Sequence, residues 1–199
     1  MAPFPREEME EMVQRWLDAN RDAERDGDWA KHLGAFYTED AEYRWNMGQN
    51  REFVAKGRHE ICHVALGYHM KGFEKWSYPY HDIIIDEKRG TVIGFYHQIY
   101  NDAREDGASF VLDGVSGSWF EYAGNYKWKW ERDFFDVGNI SSVIFDMAGA
   151  GILDPTVRKK IQMQARGNLL PGVMRLRQEP SMCTKINNIF AMVKIVLFG

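Results

Sequence analysis

The side chains best suited to moving a proton stand in two alternating runs. In Lys127-Trp128-Lys129-Trp130-Glu131-Arg132-Asp133, residues 129, 131 and 133 share one face for as long as the strand stays regular. Two carboxyls close together on a buried face have raised pKa values, which suits a general acid or base near neutral pH. Asp133 is the first catalytic candidate, with Glu131 beside it; the alternative is a structural Arg132–Asp133 pair at a sheet edge. In the second run His81 alternates with Ile83 and Ile85, which places an imidazole on their face, the side expected to line an interior. A satisfied core histidine is the alternative there.

A third pattern, His59-Glu60-Ile61-Cys62-His63, has the spacing that sets two zinc ligands on one helix face with a glutamate base. No third ligand follows at the metzincin spacing: Leu66 stands where the glycine would be and His69 arrives early. A zinc-dependent hydrolase is therefore the remote reading, and no metal ligand is assigned. The sequence has no Gly-rich phosphate loop, no Gly-x-Ser-x-Gly elbow and no cysteine set up as a nucleophile.

These groups need a scaffold, and composition bounds it. A chain of 199 residues suits one domain, or one domain with an extension. Hydrophobic residues at 45% and charged residues at 27% argue against disorder, and 14% aromatics are enough to line a pocket as well as fill a core. A net charge of −4 speaks against a general nucleic-acid binder. Cys62 and Cys183 cannot make a disulfide framework, which fits a reducing compartment. With no apolar signal core in the first eight residues and no apolar run of about 18–20, the expected location is cytoplasmic. Charge is uneven, however. Residues 154–199 hold eight basic and two acidic side chains, +6, which leaves −10 for the rest.

Met9, Met12, Val13, Trp16, Leu17 and Asn20 repeat at helical spacing, with acids at the start and Gly27 as a stop. Asp28 caps a shorter helix carrying Trp29, Leu33, Phe36 and Tyr37. Alternation predicts strands over 41–47 and, briefly, 53–57, then a helix over 58–71 with Ile61, Val64, Ala65 and Tyr68 on one side. Four further strands are predicted over 77–86, 91–100, 109–122 and 126–137, joined by hairpin-like turns at 87–90, 102–107 and 123–125. Gly114 and Gly117 sit in a strand, where they would let the sheet bend. Asp154-Pro155 opens a last helix that ends near Gly167. Helices first and an antiparallel meander afterwards indicate an α+β fold, with helices packed on one face of a curved sheet.

That order of elements resembles the cone-shaped SnoaL-like branch of the nuclear transport factor superfamily. Three stretches carry the resemblance: Tyr37-Thr38-Glu39-Asp40-Ala41 before the first strand, Gly57-Arg58-His59-Glu60-Ile61 opening the third helix, and Arg132-Asp133-Phe134-Phe135-Asp136 closing the last strand. It covers about residues 7–137, and implies a cone domain over 6–145 with a basic and apolar extension over 146–199. The superfamily includes polyketide cyclases, dehydratases, isomerases, epoxide hydrolases and copies that only bind or scaffold, so the implied site is a deep apolar cavity with polar groups at its floor.

By the same resemblance Asp133 matches the acid/base aspartate of epoxide-hydrolase-like relatives. Tyr43 matches a first-strand tyrosine that orients water or polarises a carbonyl, with core packing as the alternative. His81 is similar to the strand histidine that acts as base in scytalone-dehydratase-like relatives. Asp26 takes the place of another polar residue of the dehydratases, through an alignment that needs a gap. Tyr96 and Gln98 stand where epoxide hydrolases carry an arginine and an aspartate, which argues against epoxide opening. Trp45, Tyr96, Gln98, Glu131 and Asp26 are then expected to bind substrate around the catalytic set Asp133, His81 and Tyr43.

The expected activity is dehydration, isomerisation or cyclisation of a small hydrophobic oxygenated molecule by acid/base chemistry that requires no cofactor. A non-catalytic ligand-binding or scaffold copy of the fold is the alternative. Trp119, Trp128 and Trp130 would supply apolar surface for a homodimer. Ile186, Ile189, Phe190 and the run from Val193 to Phe198 would pack on the body or a partner, with weak contact to an anionic membrane surface as a further possibility.

Overall fold

The computed structural model describes residues 4–48, 50–102, 107, 109–112, 114–178, 181, 183–184, 186–187 and 190–191. The first helix, α1 (Arg6–Asp26), buries Met9, Met12, Trp16 and Ala23, the stripe its spacing predicts. Gly27 ends it in the left-handed conformation, φ 68°, a geometry that costs glycine little. Asp28 caps α2 (Trp29–Leu33) by accepting from the Lys31 N–H, and a 3₁₀ turn over Gly34–Phe36 leads into the sheet.

Strands β1 (Tyr37–Asn46) and β2 (Arg51–Lys56) form a hairpin, followed by a short α3 (Arg58–Glu60) that widens into a π-helix over Ile61–His69. Gly67 suits that widening: a Cβ there would lie 2.9 Å from the carbonyl oxygen of Cys62, five residues back. Three of the four expected long strands are broken in two. Residues 77–86 become β3 (Trp76–Ser77) and β4 (Tyr80–Asp86); 91–100 become β5 (Thr91–Tyr96) and β6 (Gln98–Tyr100); 109–122 become β7 (Val111–Leu112) and β8 (Ser116–Gly124). Strand β9 (Lys127–Phe135) follows. Four of the residues expected in the 102–107 turn, 103–106, lie outside the described residues. Gly117 is a point of close approach in β8, because a Cβ would meet the Phe134 ring at 2.5 Å and the Gly94 carbonyl oxygen at 2.7 Å.

The main sheet runs β10 (Val173–Arg175), β2, β1, β9, β8, β5, β4, with β1 and β9 parallel at its centre and the other pairs antiparallel. Its inner face and α1 enclose an aromatic core in which Trp16 makes edge contacts with Phe36, Tyr37, Phe120 and Trp128. This is the expected α+β architecture, a curved sheet with helices on one face, but the sheet is mixed where an antiparallel one is expected, because β9 returns beside β1 in the same direction.

The chain after β9 is woven into that body. Asp136 caps α4 (Val137–Gly149), a helix absent from the sequence expectation, and the boundary expected after residue 145 falls inside it. Asp154 caps α5 (Pro155–Ala165), as expected. Beyond it β10 (Val173–Arg175) pairs with β2 and becomes the edge of the main sheet. Helices α4 and α5 pack with the small β3-β6-β7 sheet around a second core of Trp76, Tyr100, Leu112, Met147, Leu153 and Val157. Of the apolar residues near the C-terminus, Ile186 and Phe190 are exposed; Ile189 and the run from Val193 to Phe198 lie outside the described residues. Among the described residues no helix is long and apolar enough to cross a membrane.

Candidate active site

Three adjacent strands bring the acid groups together. Tyr43 of β1 lies in register with Glu131 of β9, and Trp45 with Asp133; from β8, Phe120 pairs with Glu131 and Ser118 with Asp133. Glu131 and Asp133 point to the inner face with 2% and 9% of their surface exposed. Lys129, expected on that face, is exposed and pairs with Glu121 at 3.1 Å. The β8–β9 register shifts between Glu121 and Tyr122, so parity changes after Trp128, which is buried in place of Lys129.

Three of the pair's four oxygens accept from a hydroxyl. The Tyr43 hydroxyl donates to Asp133 Oδ2 at 2.5 Å and Ser118 Oγ donates to Oδ1 at 2.5 Å. Tyr80 in turn donates to Ser118 Oγ at 3.3 Å, and the Tyr37 hydroxyl donates to Glu131 Oε2. Burial lifts both carboxyls, since the charged form loses hydration. Asp133 is pushed up to about 6, with the bonds from Ser118, Tyr43 and Glu131 holding it down from a higher value. Glu131 goes well above the usual carboxylate range, through burial first and the charge of Asp133 second. Both shifts run upward, so the pair holds one proton between its two carboxyls near neutral pH and offers an acid and a base side by side. Burial and the same carboxyls also raise the phenols of Tyr37, Tyr43, Tyr80 and Tyr96, which stay protonated donors.

Asp133 stands where two spaces meet. A cavity of about 280 Å³ is bordered by Tyr43, Trp45, Tyr96, Gln98 and Asp133 on the sheet side, by Leu66, His69 and Met70 of the helix and its end, and by Ile140, Ile144, Val157 and Lys160 of the extension. A second chamber of about 70 Å³ behind it is bordered by Trp16, Asn20, Tyr37, Tyr80, Ser118 and Glu131, with Asp133 shared. Trp45 is held by stacking on Phe53 at 3.6 Å. Gln98 donates to Ser116 Oγ at 3.1 Å through one amide hydrogen, and no acceptor among the described residues takes the second. His69 donates from Nε2 to the Pro171 carbonyl at 2.8 Å, and burial drops its pKa to about 4, so it is neutral near pH 7.

Asp133, Tyr43, Trp45, Tyr96 and Gln98 therefore meet at one cavity, with Glu131 just behind. His81 does not join them. A bulge between Tyr80 and Asp82 turns Tyr80 inward and leaves His81, its side chain 42% exposed, bonded to Asp82 at 2.7 Å and stacked on His97. Asp26 lies at the solvent end of α1, bonded to Lys31 and His32, which with Arg25 lower it to about 2. His59 and His63 are exposed and stacked on each other, Glu60 accepts from the Lys56 backbone N–H, and no cluster of three His, Cys, Asp or Glu side chains suited to a metal exists among the described residues. Trp128 is core, so it offers no surface to a partner.

Sequence reasoning passed over Tyr37, Ser118, His69 and Lys160. Lys160 carried a legible signal: it interrupts the apolar face of α5 between Val157 and Ile161, at the i+3 position where a helix buries its side chains.

No family model matches the sequence, and no curated protein matches it. Solved structures do match. A SnoaL-like protein of Jannaschia sp. CCS1, named after polyketide cyclases, aligns with TM-score 0.52 and 13% identity over 72% of this chain and 94% of its own. An NTF2-like protein of Anabaena variabilis ATCC 29413 aligns with TM-score 0.51 and 15% identity over 68% and 95%. An LEH-like epoxide hydrolase of M. tuberculosis aligns with TM-score 0.48 and 17% identity over 71% and 92%. The fold of this chain is the NTF2-like cone.

Proposed function

We propose that the protein is an enzyme that moves a proton on a small, hydrophobic, oxygenated molecule with its own side chains, as a lyase, isomerase or cyclase does. The observation that carries this reading is Asp133 at the wall of a largely apolar cavity, poised at about 6, with Glu131 just behind it. A base with a pKa close to the working pH is ionised often enough to accept a proton and basic enough to hold it. Asp133 removes the proton beside a substrate carbonyl, and Glu131, Ser118 and Tyr43 steady the carboxylate as its charge changes. Tyr43 donates its hydrogen to Asp133, so it positions the base, and the free amide hydrogen of Gln98 is the donor available to a substrate oxygen. The dry, aromatic surroundings strengthen both contacts.

The test is turnover of hydrophobic β-hydroxy ketones, in which loss of water creates an enone followed by its absorbance. Asp133→Asn keeps the shape and should lower the rate by roughly 10²–10⁴-fold, the usual worth of one general base. Undiminished turnover in this variant would remove Asp133 from the mechanism. Ligands that bind without ever turning over would favour a binding role for the same cavity.

A further inference from the structure

Two charged side chains border the main cavity among the described residues. One is Asp133; the other is Lys160, which enters from α5. Lys160 is buried, and its Nζ donates to the carbonyl oxygens of His69 at 3.0 Å and Lys71 at 2.7 Å, above the rings of Tyr68 and Phe73. An ammonium has three donors, so one remains, and no carboxylate of the described residues forms an ion pair with it. The charges around it are Glu74 and Asp154, which favour its charged form from a distance, and Lys71, which opposes it; His69 is neutral. A buried cation with an open donor at an otherwise apolar wall is what an anionic ligand group would complete.

We propose that Lys160 binds a carboxylate of the ligand that fills this cavity, which makes the substrate an amphipathic acid. Its charged end lies against α5 and its reacting carbon at Asp133. The orientation rests on the acid/base reading above, whereas the carboxylate contact does not. Like charge reinforces it, because a carboxylate placed at the sheet wall would face the Asp133 anion. Lys160 also ties α5 to the end of the π-helix, so a test must separate ligand recognition from folding.

Octanoate and octanamide are nearly equal in shape and differ in charge. By titration calorimetry at about pH 7, wild-type protein should prefer octanoate by about tenfold, the worth of one charge-assisted hydrogen bond in a dry site. Lys160→Met should erase that preference while leaving octanamide affinity within about threefold, and Lys160→Arg should restore part of it. Burial lowers the Lys160 ammonium to about 8, so in wild type the preference should shrink toward pH 9.5 as the amine loses its charge. If Lys160→Met does not fold, the wild-type pH series and Lys160→Arg decide. Equal affinities in wild type, no octanoate binding at millimolar concentration, or a preference that survives Lys160→Met would overturn the proposal. The octanoate preference reads Lys160 and the enone assay reads Asp133, so failure of the anchor and failure of the catalytic reading show up in different experiments.

Discussion

Asp133→Asn should change how stability depends on pH, in a direction set by burial. The Asp133 carboxyl has its pKa raised from 3.8 to about 6 by desolvation. The folded state therefore binds its proton over a range in which the unfolded chain has released it. Below the unfolded value both states are protonated and the site favours folding. As pH rises from about 4 to about 6 that advantage is lost, and above this window the buried charge is a standing cost. The rise corresponds to about 3 kcal/mol, taken as an order of magnitude because the proton is shared with Glu131. Asparagine cannot ionise, so its variant lacks this dependence. Chemical denaturation of both proteins, followed by tryptophan fluorescence at several values between about pH 4 and 8, cancels the titrating groups that Asp133 does not touch and leaves in the difference Asp133 and the neighbouring Glu131, whose rise its charge adds to. The variant should gain on wild type by about 3 kcal/mol across that range, whatever offset the altered hydrogen bonds add. A difference that is flat with pH would refute the raised carboxyl, and with it the poised base.

Tyr43→Phe removes one of the bonds that hold Asp133 down, so the acidic limb of the pH–rate profile should move to higher pH and the rate at neutral pH should fall about tenfold. His81→Ala should leave turnover within about twofold in the same assay, since the ring lies outside the cavity; a larger loss would mean that β4 rearranges around substrate. Ile84 and Trp119, 58% and 42% exposed, flank Ile93 in one row across the outer sheet face, and we propose that a second copy covers it. Trp119→Glu should then halve the mass measured by light scattering, and a wild-type monomer at micromolar concentration would sink the idea.

The sequence showed most where side chains follow a simple period. The α1 stripe, the capped α2 and α5 and the pairing of Glu131 with Asp133 were all readable, because helical spacing and strand alternation translate directly into burial. It misled at two bulges. One extra residue beside Tyr80 sends His81 outward, and a register shift between Glu121 and Tyr122 exchanges Lys129 for Trp128; no local pattern marks either position. Helix α4 is announced by Asp136 and the spacing of Ile140, Val143, Ile144 and Met147, but the strand alternation extends to residue 137 and masks its cap. Lys160 and β10 depend on contacts nearly a hundred residues or more away along the chain, which periodicity does not record.

The cavity is assembled from two parts of the chain with different duties. Asp133, Glu131, Ser118 and Tyr43 belong to the central strands, where any substitution disturbs the sheet, while Ile140, Ile144, Val157, Ile161 and Lys160 come from helices laid over it. Reactivity and selectivity are thereby separable in heredity. Changes in α4 and α5 can resize or recharge the ligand space without moving the proton-transferring pair. Drift in that segment, or a deliberate library confined to residues 140–164, is the natural route by which this scaffold would acquire new substrates.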